Sequence, residues 1–221
     1  MLPGSSVGVV RILFVGNSFT ARNNLPGLLK GLAGARGIAI ESTLIQAGGA
    51  SLRQHLNAGK ALQAIEDGRY DVVVLQEQST LPIKSPDRFR ESARDFDTAI
   101  KAAGARTALY LTWARRNAPE TQKALTAAYG GSAVELGATL IPVGPVWERF
   151  LSTHDEPVLH DKDNSHPALA GSYLAACVFL IALLAEDPVG IDVPVKGLDA
   201  DTAALLQHAA WDICEGLASP E

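Results

Sequence analysis

Positive charge, cysteine and sequence repetition are what this chain has least of. Nineteen lysines and arginines stand against 24 aspartates and glutamates, a formal net charge of −5. No basic stripe is present to displace counterions from phosphates, which excludes a nucleic-acid partner. Cysteine occurs twice, at Cys177 and Cys214, in apolar, helix-like surroundings. Both read as buried, reduced thiols, and the lack of any Cys-x-x-Cys leaves no structural zinc site. No basic region precedes the apolar run in MLPGSSVGVVRILFVG, so this stretch is expected to be a first strand, not a signal peptide. The one uncharged stretch long enough to span a bilayer, residues 168–185, contains Gly171, Ser172 and Tyr173 and follows a polar loop directly. It reads as a buried core helix, with no membrane partner and a cytoplasmic location. No repeat, low-complexity tract or linker is visible, so a single domain over 1–221 is expected.

What is present is alternation. The composition, 47% hydrophobic and 19% charged, is that of a globular chain. Five apolar, β-branched runs (VGVVRILFVG, IAIESTLIQ, DVVVLQ, RTALYLTW and ATLIPVG) are each followed by a helical pattern. LPGLLKGLAGARG has Pro26 near its first turn and Gly37 past its end. SLRQHLNAGKALQAIEDG breaks around residues 57–59, and PETQKALTAAYGGSAVELG carries a Gly130-Gly131 pair able to interrupt it. Strand–helix alternation repeated five times implies a doubly wound, three-layer α/β/α sandwich around a five-stranded parallel sheet. Ligands of such sheets bind at the carboxyl ends of the strands. Three polar segments leave strands there: GNSFT, AGGAS and QEQS.

Ser18 in GNSFT admits three roles. It can cap the helix that follows. It can belong to an anion-cradling loop of the flavodoxin kind, although the loop has no glycine beyond Gly16 and no lysine. It can be a nucleophile, which requires a base within hydrogen-bond reach, best a histidine. His55 and His208 lie in helical patterns with surface or boundary roles. His154 and His160 lie in a polar loop without an evident orienting partner. His166 sits at a loop-to-helix junction before Pro167, with Asp163 three residues earlier. Across a turn, that spacing lets the carboxylate take Nδ1–H and leaves Nε2 free for a serine proton. DNSH also reads as a capped helix start, with Asp163 or Ser165 as cap. A calcium loop over DKDNS lacks the required glycine and glutamate, so no metal and no cofactor are expected.

GNSFT, AGGAS, QEQS and DNSHP, in this order from Gly16 to Pro167, resemble the SGNH hydrolases, also called GDSL-like esterases and lipases. The resemblance implies a flavodoxin-like sandwich with Ser18 as nucleophile, His166 as general base and Asp163 as its orienter. It also implies an oxyanion hole from the backbone N–H groups of Ser18 and Gly49 and a side-chain amide after the third strand. The sequence departs from the family pattern by Asn17 where aspartate is common and by Gln78 where asparagine is usual, with Gln76 as a competitor for that place. Asn17, Trp113 and Arg115 are candidate substrate contacts, although a packed tryptophan beside solvated arginines explains the last two as well. The function so implied is hydrolysis of a carboxylic ester, with a small acyl group such as acetyl on a sugar or other alcohol. A flavodoxin-like phosphate or flavin-binding module and a catalytically silent hydrolase fold are the alternatives.

Overall fold

The computed structural model describes residues 8–218. Val7, with which the first apolar run opens, and the residues before it lie outside them. β1 (Val10–Gly16) is followed by one helical turn, α1 (Ser18–Ala21), and by α2 (Leu25–Ala35). β2 (Ile40–Gln46) leads to α3 (Leu52–Ala58) and α4 (Lys60–Asp67). β3 (Val72–Leu75) leads to α5 (Leu81–Lys84) and α6 (Pro86–Ala102), and β4 (Arg106–Tyr110) to α7 (Gln122–Leu136). β5 (Thr139–Ile141) leads to α8 (Val143–Leu151), α9 (Leu169–Leu184) and α10 (Ala200–Ala218).

Every neighbouring strand pair is parallel, in the order β2-β1-β3-β4-β5. The strands alternate between two cores. Ile12, Phe14, Val72, Val74, Ala108 and Tyr110 face α2, α8, α9 and α10. Leu13, Val15, Val73, Leu75 and Leu109 face α3, α4, α6 and α7. Being covered on both faces is why VVVL, all four residues buried, is apolar without alternation. The edges are blunted: β2 exposes Glu41, Ser42, Thr43 and Leu44 in succession, and β5 is three residues long.

The helix limits follow local chemistry. Ser51 and Gln54 form a capping box at the start of α3, and Gly59, at φ 73°, separates α3 from α4. α7 runs unbroken through Gly130-Gly131 because its flanking turns are packed by Leu125, Tyr129, Ala133 and Leu136. α9 starts at Leu169 behind Ala168, without a side-chain cap, so neither Asp163 nor Ser165 caps it. Residues 170–180 are all buried because α9 packs between α2, α10 and the sheet. Among the described residues no helix is long and apolar enough to cross a membrane. The chain leaves β1 toward β2 on one side and returns to β3 on the other. The crevice at the carboxyl ends of β1 and β3 is therefore the switch point where such sheets hold ligands.

Candidate active site

The serine turn sits at that switch point. A Cβ on Gly16 would lie 2.6 Å from Gln76 Oε1 and 2.8 Å from Thr20 Oγ1, so any larger residue where β1 ends would displace these two side chains. Asn17 is extended and buried. Its Oδ1 accepts from the Phe19 N–H (3.0 Å), its Nδ2 donates to the Ala50 carbonyl (3.0 Å), and its N–H donates to Gln76 Oε1 (2.9 Å). These bonds make Asn17 a cap and brace of the turn, and the residue also lines the cavity beside Ser18. Ser18 is the first residue of α1 and half-buried.

The histidine arrives on a loop folded back on itself. The Asp161 N–H donates to the His166 carbonyl (2.7 Å) and the Ala168 N–H to the Leu159 carbonyl (2.8 Å), so the two arms pair and Asp163 lies at the tip. Asp163 Oδ1 accepts from the Ser165 (3.0 Å) and His166 (2.9 Å) N–H groups, and Oδ2 lies 2.5 Å from His166 Nδ1. The imidazole first, then the two amides, hold this carboxyl well below the usual carboxylate range although it is exposed. His166 Nε2 lies 2.8 Å from Ser18 Oγ, across 148 positions of sequence. With Nδ1–H given to an ionised carboxylate, Nε2 is the lone-pair nitrogen and accepts the serine O–H. Arg22, just past α1, pairs with Asp161, and Asn23 Nδ2 donates to the Pro167 carbonyl (3.1 Å) and Ser172 Oγ (2.9 Å). The serine turn and the histidine loop are therefore fastened to each other directly.

Trp113 lies under this junction. It is 2% exposed, stacks on Trp147 at 3.9 Å between centroids, and stacks on Phe19 at 5.0 Å. Its Nε1 donates to the Ser165 carbonyl (3.0 Å). It supports the histidine loop and does not reach a substrate, which corrects the expected contact. Two further histidines are buried where surface or unpartnered roles were expected. His55 Nε2 bonds the Gly16 carbonyl (2.8 Å) at the end of β1. His160 accepts from Trp147 Nε1 (3.4 Å) and bonds the Ala114 carbonyl (3.0 Å), and burial lowers its pKa. A histidine flanked by Leu159 and Asp161 gave no sequence signal of this, since its burial depends on the tryptophan beneath it. Arg115 is exposed at the pocket rim and, among the described residues, makes no ion pair.

A cavity of about 170 Å³ is lined by Asn17, Ser18, Phe19, Gly49, Gln78, Ser79, Arg115, Ser165 and His166. Three of these residues carry donors without an acceptor among the described residues: the backbone N–H groups of Ser18 and Gly49 and the amide of Gln78. Gly49 holds φ 64°, the left-handed conformation that favours glycine, with open space where a Cβ would be. Gln78 Oε1 accepts from the Thr80 (2.9 Å) and Leu81 (3.0 Å) N–H groups. Only the amide oxygen can do this, so the Gln78 NH2 is left over as a donor. Gln76 differs: it is fully buried, its Oε1 accepts from Asn17 and Thr20, and its Nε2 donates to the Glu77 carbonyl. It does not line the cavity. The arrangement sets a hydroxyl on an imidazole nitrogen beside a cavity that the Ser18, Gly49 and Gln78 donors line, which suits addition to a carbonyl. Among the described residues no three His, Cys, Asp or Glu side chains are grouped to hold a metal ion.

No protein-family model matches the chain, and no curated protein matches it. Among solved structures, a DUF4886 family protein from Bacteroides uniformis superposes with a TM-score of 0.81 at 19% identity, over 97% of this chain and 98% of that one. A protein from Slackia heliotrinireducens assigned to the SGNH hydrolases has a TM-score of 0.67 at 30% identity, over 80% of this chain and 100% of that one. Axe2, an acetylxylan esterase from Geobacillus stearothermophilus, has a TM-score of 0.65 at 17% identity, over 85% and 98%. The first and third are alike in fold. The second is alike in sequence as well, over the whole of its length.

Proposed function

The chain belongs to the SGNH hydrolases, and from that premise we propose that it is a serine esterase acting through an acyl-enzyme. The observation that carries this reading is the single hydrogen-bonded line Ser18 Oγ–His166 Nε2, His166 Nδ1–Asp163 Oδ2. As Ser18 Oγ attacks the ester carbonyl carbon, its proton passes to His166 Nε2, and the Asp163 carboxylate stabilises the imidazolium that forms. The carbonyl oxygen, now an anion, is met by the Ser18 and Gly49 N–H groups and the Gln78 amide. The imidazolium returns the proton to the leaving alcohol oxygen as the ester bond breaks, leaving the acyl group on Ser18. Water then attacks the acyl carbon and gives its proton to His166, which passes it to Ser18 Oγ as the intermediate collapses to the carboxylic acid and free Ser18.

The size of the pocket supports a small acyl group. At about 170 Å³ it is below the ~300–1,000 Å³ of cavities that enclose drug-sized ligands. Acetyl on a sugar or another alcohol fits it, the kind of bond named for the acetylxylan esterase of the same fold. The location proposed with this activity is the cytoplasm, where free thiols such as Cys177 and Cys214 stay reduced. A flavodoxin-like binding module would share the sheet order but gives no account of the Ser–His–Asp line.

Fluorophosphonate labelling tests the reading. Labelling is expected on Ser18 alone, and His166→Ala is expected to abolish it together with hydrolysis of 4-nitrophenyl acetate. A bound flavin or nucleotide without labelling would instead identify a binding module. The absence of labelling, ester turnover and any bound cofactor would identify a silent fold.

A further inference from the structure

Ester hydrolysis as derived above makes no use of Glu77, a fully buried carboxylate beside the site. Its Oε1 accepts from two backbone amides: Leu52 N–H (3.0 Å), the first residue of α3, and Gln78 N–H (2.6 Å). Leu52 is three residues from Gly49, and Ala50 between them is held by Asn17 Nδ2. The Glu77 carbonyl accepts from Gln76 Nε2, and Gln76 Oε1 accepts from the Asn17 N–H. The Glu77 N–H in turn donates to Tyr129 Oη (3.2 Å). These bonds close a ring through the loops after β1, β2 and β3. In that ring one atom, Glu77 Oε1, joins the loop carrying Gly49 to the loop carrying Gln78.

The other carboxylate oxygen, Oε2, is buried without a partner. Burial pushes the Glu77 pKa up to about 7, against the opposing pull of the Gln78 and Leu52 amides. An apolar side chain of similar size would leave the Leu52 and Gln78 amides without this acceptor. What the carboxylate supplies here is one fixed point for two backbone amides from two loops. We propose that Glu77 is a positioning residue for the oxyanion hole, its Oε1 fixing the separation between the Gly49 amide and the Gln78 side chain. The inference rests on the esterase reading, because that separation matters only where a carbonyl oxygen becomes an anion. The charged and titratable groups facing Glu77 are few. Arg88 on α6 pulls its carboxyl down slightly, the Tyr129 phenol on α7 is held neutral by burial, and α3 presents the Leu52 amide. The ionised form is the better acceptor for two N–H groups, so the hole is well set above about pH 7 and loosens below it.

The experiment compares wild type, Glu77→Leu and Glu77→Gln on 4-nitrophenyl acetate between pH 5 and 9, with unfolding midpoints and Ser18 labelling measured alongside. Leucine removes the acceptor. Its kcat is expected to fall about ten- to a hundredfold, short of the ~10²–10³ lost with a donor itself, while KM stays within about twofold. Glutamine keeps an oxygen for both amides, and is expected to recover kcat to within about fivefold of wild type, neutral acceptors being roughly half as strong. The acidic limb of the wild type is expected to contain one protonation more than that of the glutamine variant, the one that belongs to Glu77. If the leucine variant does not fold, the glutamine profile decides, and a limb identical to wild type overturns the proposal. So does a leucine variant with native kcat and only a lowered midpoint, or a wild-type activity that rises as Glu77 is protonated. A wild type without Ser18 labelling or ester turnover overturns the esterase reading itself. Wild-type turnover with native kcat in the leucine variant overturns the role of Glu77 alone.

Discussion

Asp163 and Glu77 reach the surroundings of the same serine from different loops, and each accepts hydrogen bonds from two backbone amides. They are nevertheless driven in opposite directions, Asp163 well below the usual carboxylate range and Glu77 up to about 7. The difference lies in the second oxygen. At Asp163 it meets the His166 imidazole, and the side chain is 46% exposed. At Glu77 it is buried and bare. Amide hydrogen bonds alone do not decide whether a carboxyl stays ionised; desolvation of an unpartnered oxygen outweighs two of them. A carboxylate that must stay charged beside an imidazole is wet and fully bonded. One that holds backbone in place can be dry.

The hardest test of this contrast removes the group through which Asp163 reaches Ser18. In His166→Ala, kcat is expected to fall by about 10⁴–10⁶ with the unfolding midpoint near that of wild type, since His166 is part of a surface loop. Stopped-flow and steady-state turnover would measure it. Next is Asp163→Asn, which keeps the shape and loses the charge. The expected loss in kcat is about 10³–10⁴, far beyond the few-fold loss expected for the same change at Glu77. Equal losses at the two positions would break the contrast, because charge stabilises the imidazolium directly at Asp163 and only strengthens two amide bonds at Glu77.

The two carboxyls also differ in how they link stability to pH. The folded pKa of Glu77 is raised, so its contribution to stability is fully present below about 4.5 and is lost as pH rises through about 7. The unfolding free energy of wild type relative to Glu77→Gln is expected to fall by about 3 kcal/mol between pH 4.5 and pH 8, read by urea titration at each pH. The folded pKa of Asp163 is depressed, so its smaller contribution is present at neutral pH and is lost on acidification below the ordinary aspartate range. Comparing Asp163→Asn with wild type at pH 6 and pH 3 checks that opposite sign. The smallest effect expected is that of Trp113→Phe, which keeps the ring stack and deletes the bond to the Ser165 carbonyl. About 1 kcal/mol of stability is expected to be lost in chemical denaturation.

Most of the fold and the centre of the site could be read from the residues. The runs ending in GNSFT and QEQS are strands whose apolar residues are covered on both faces, the run ending in AGGAS is an exposed edge strand, and the breaks at Pro26, Gly37 and Gly59 follow from backbone restrictions. Ser18, Asp163 and His166 were legible as candidates because a nucleophile, a base and a carboxylate at three-residue spacing are a chemical requirement. The choice between Gln76 and Gln78 was not. Two glutamines two positions apart differ only in what the fold brings to their amides. Nor was the burial of Asn17, Trp113, His55 or His160, which bond to groups 33, 52, 39 and 13 positions away.

The amino-acid order by itself determined the local preferences: where strands and helices begin and end, which faces are apolar, and which side chains can do chemistry. Only the tertiary structure decided that Ser18 and His166, 148 positions apart, face one another, and that Glu77 is dry while Asp163 is wet. Hydrogen-bond distance and solvation are properties of what surrounds a group once the sheet has closed over it. Neighbouring letters in a chain fix neither.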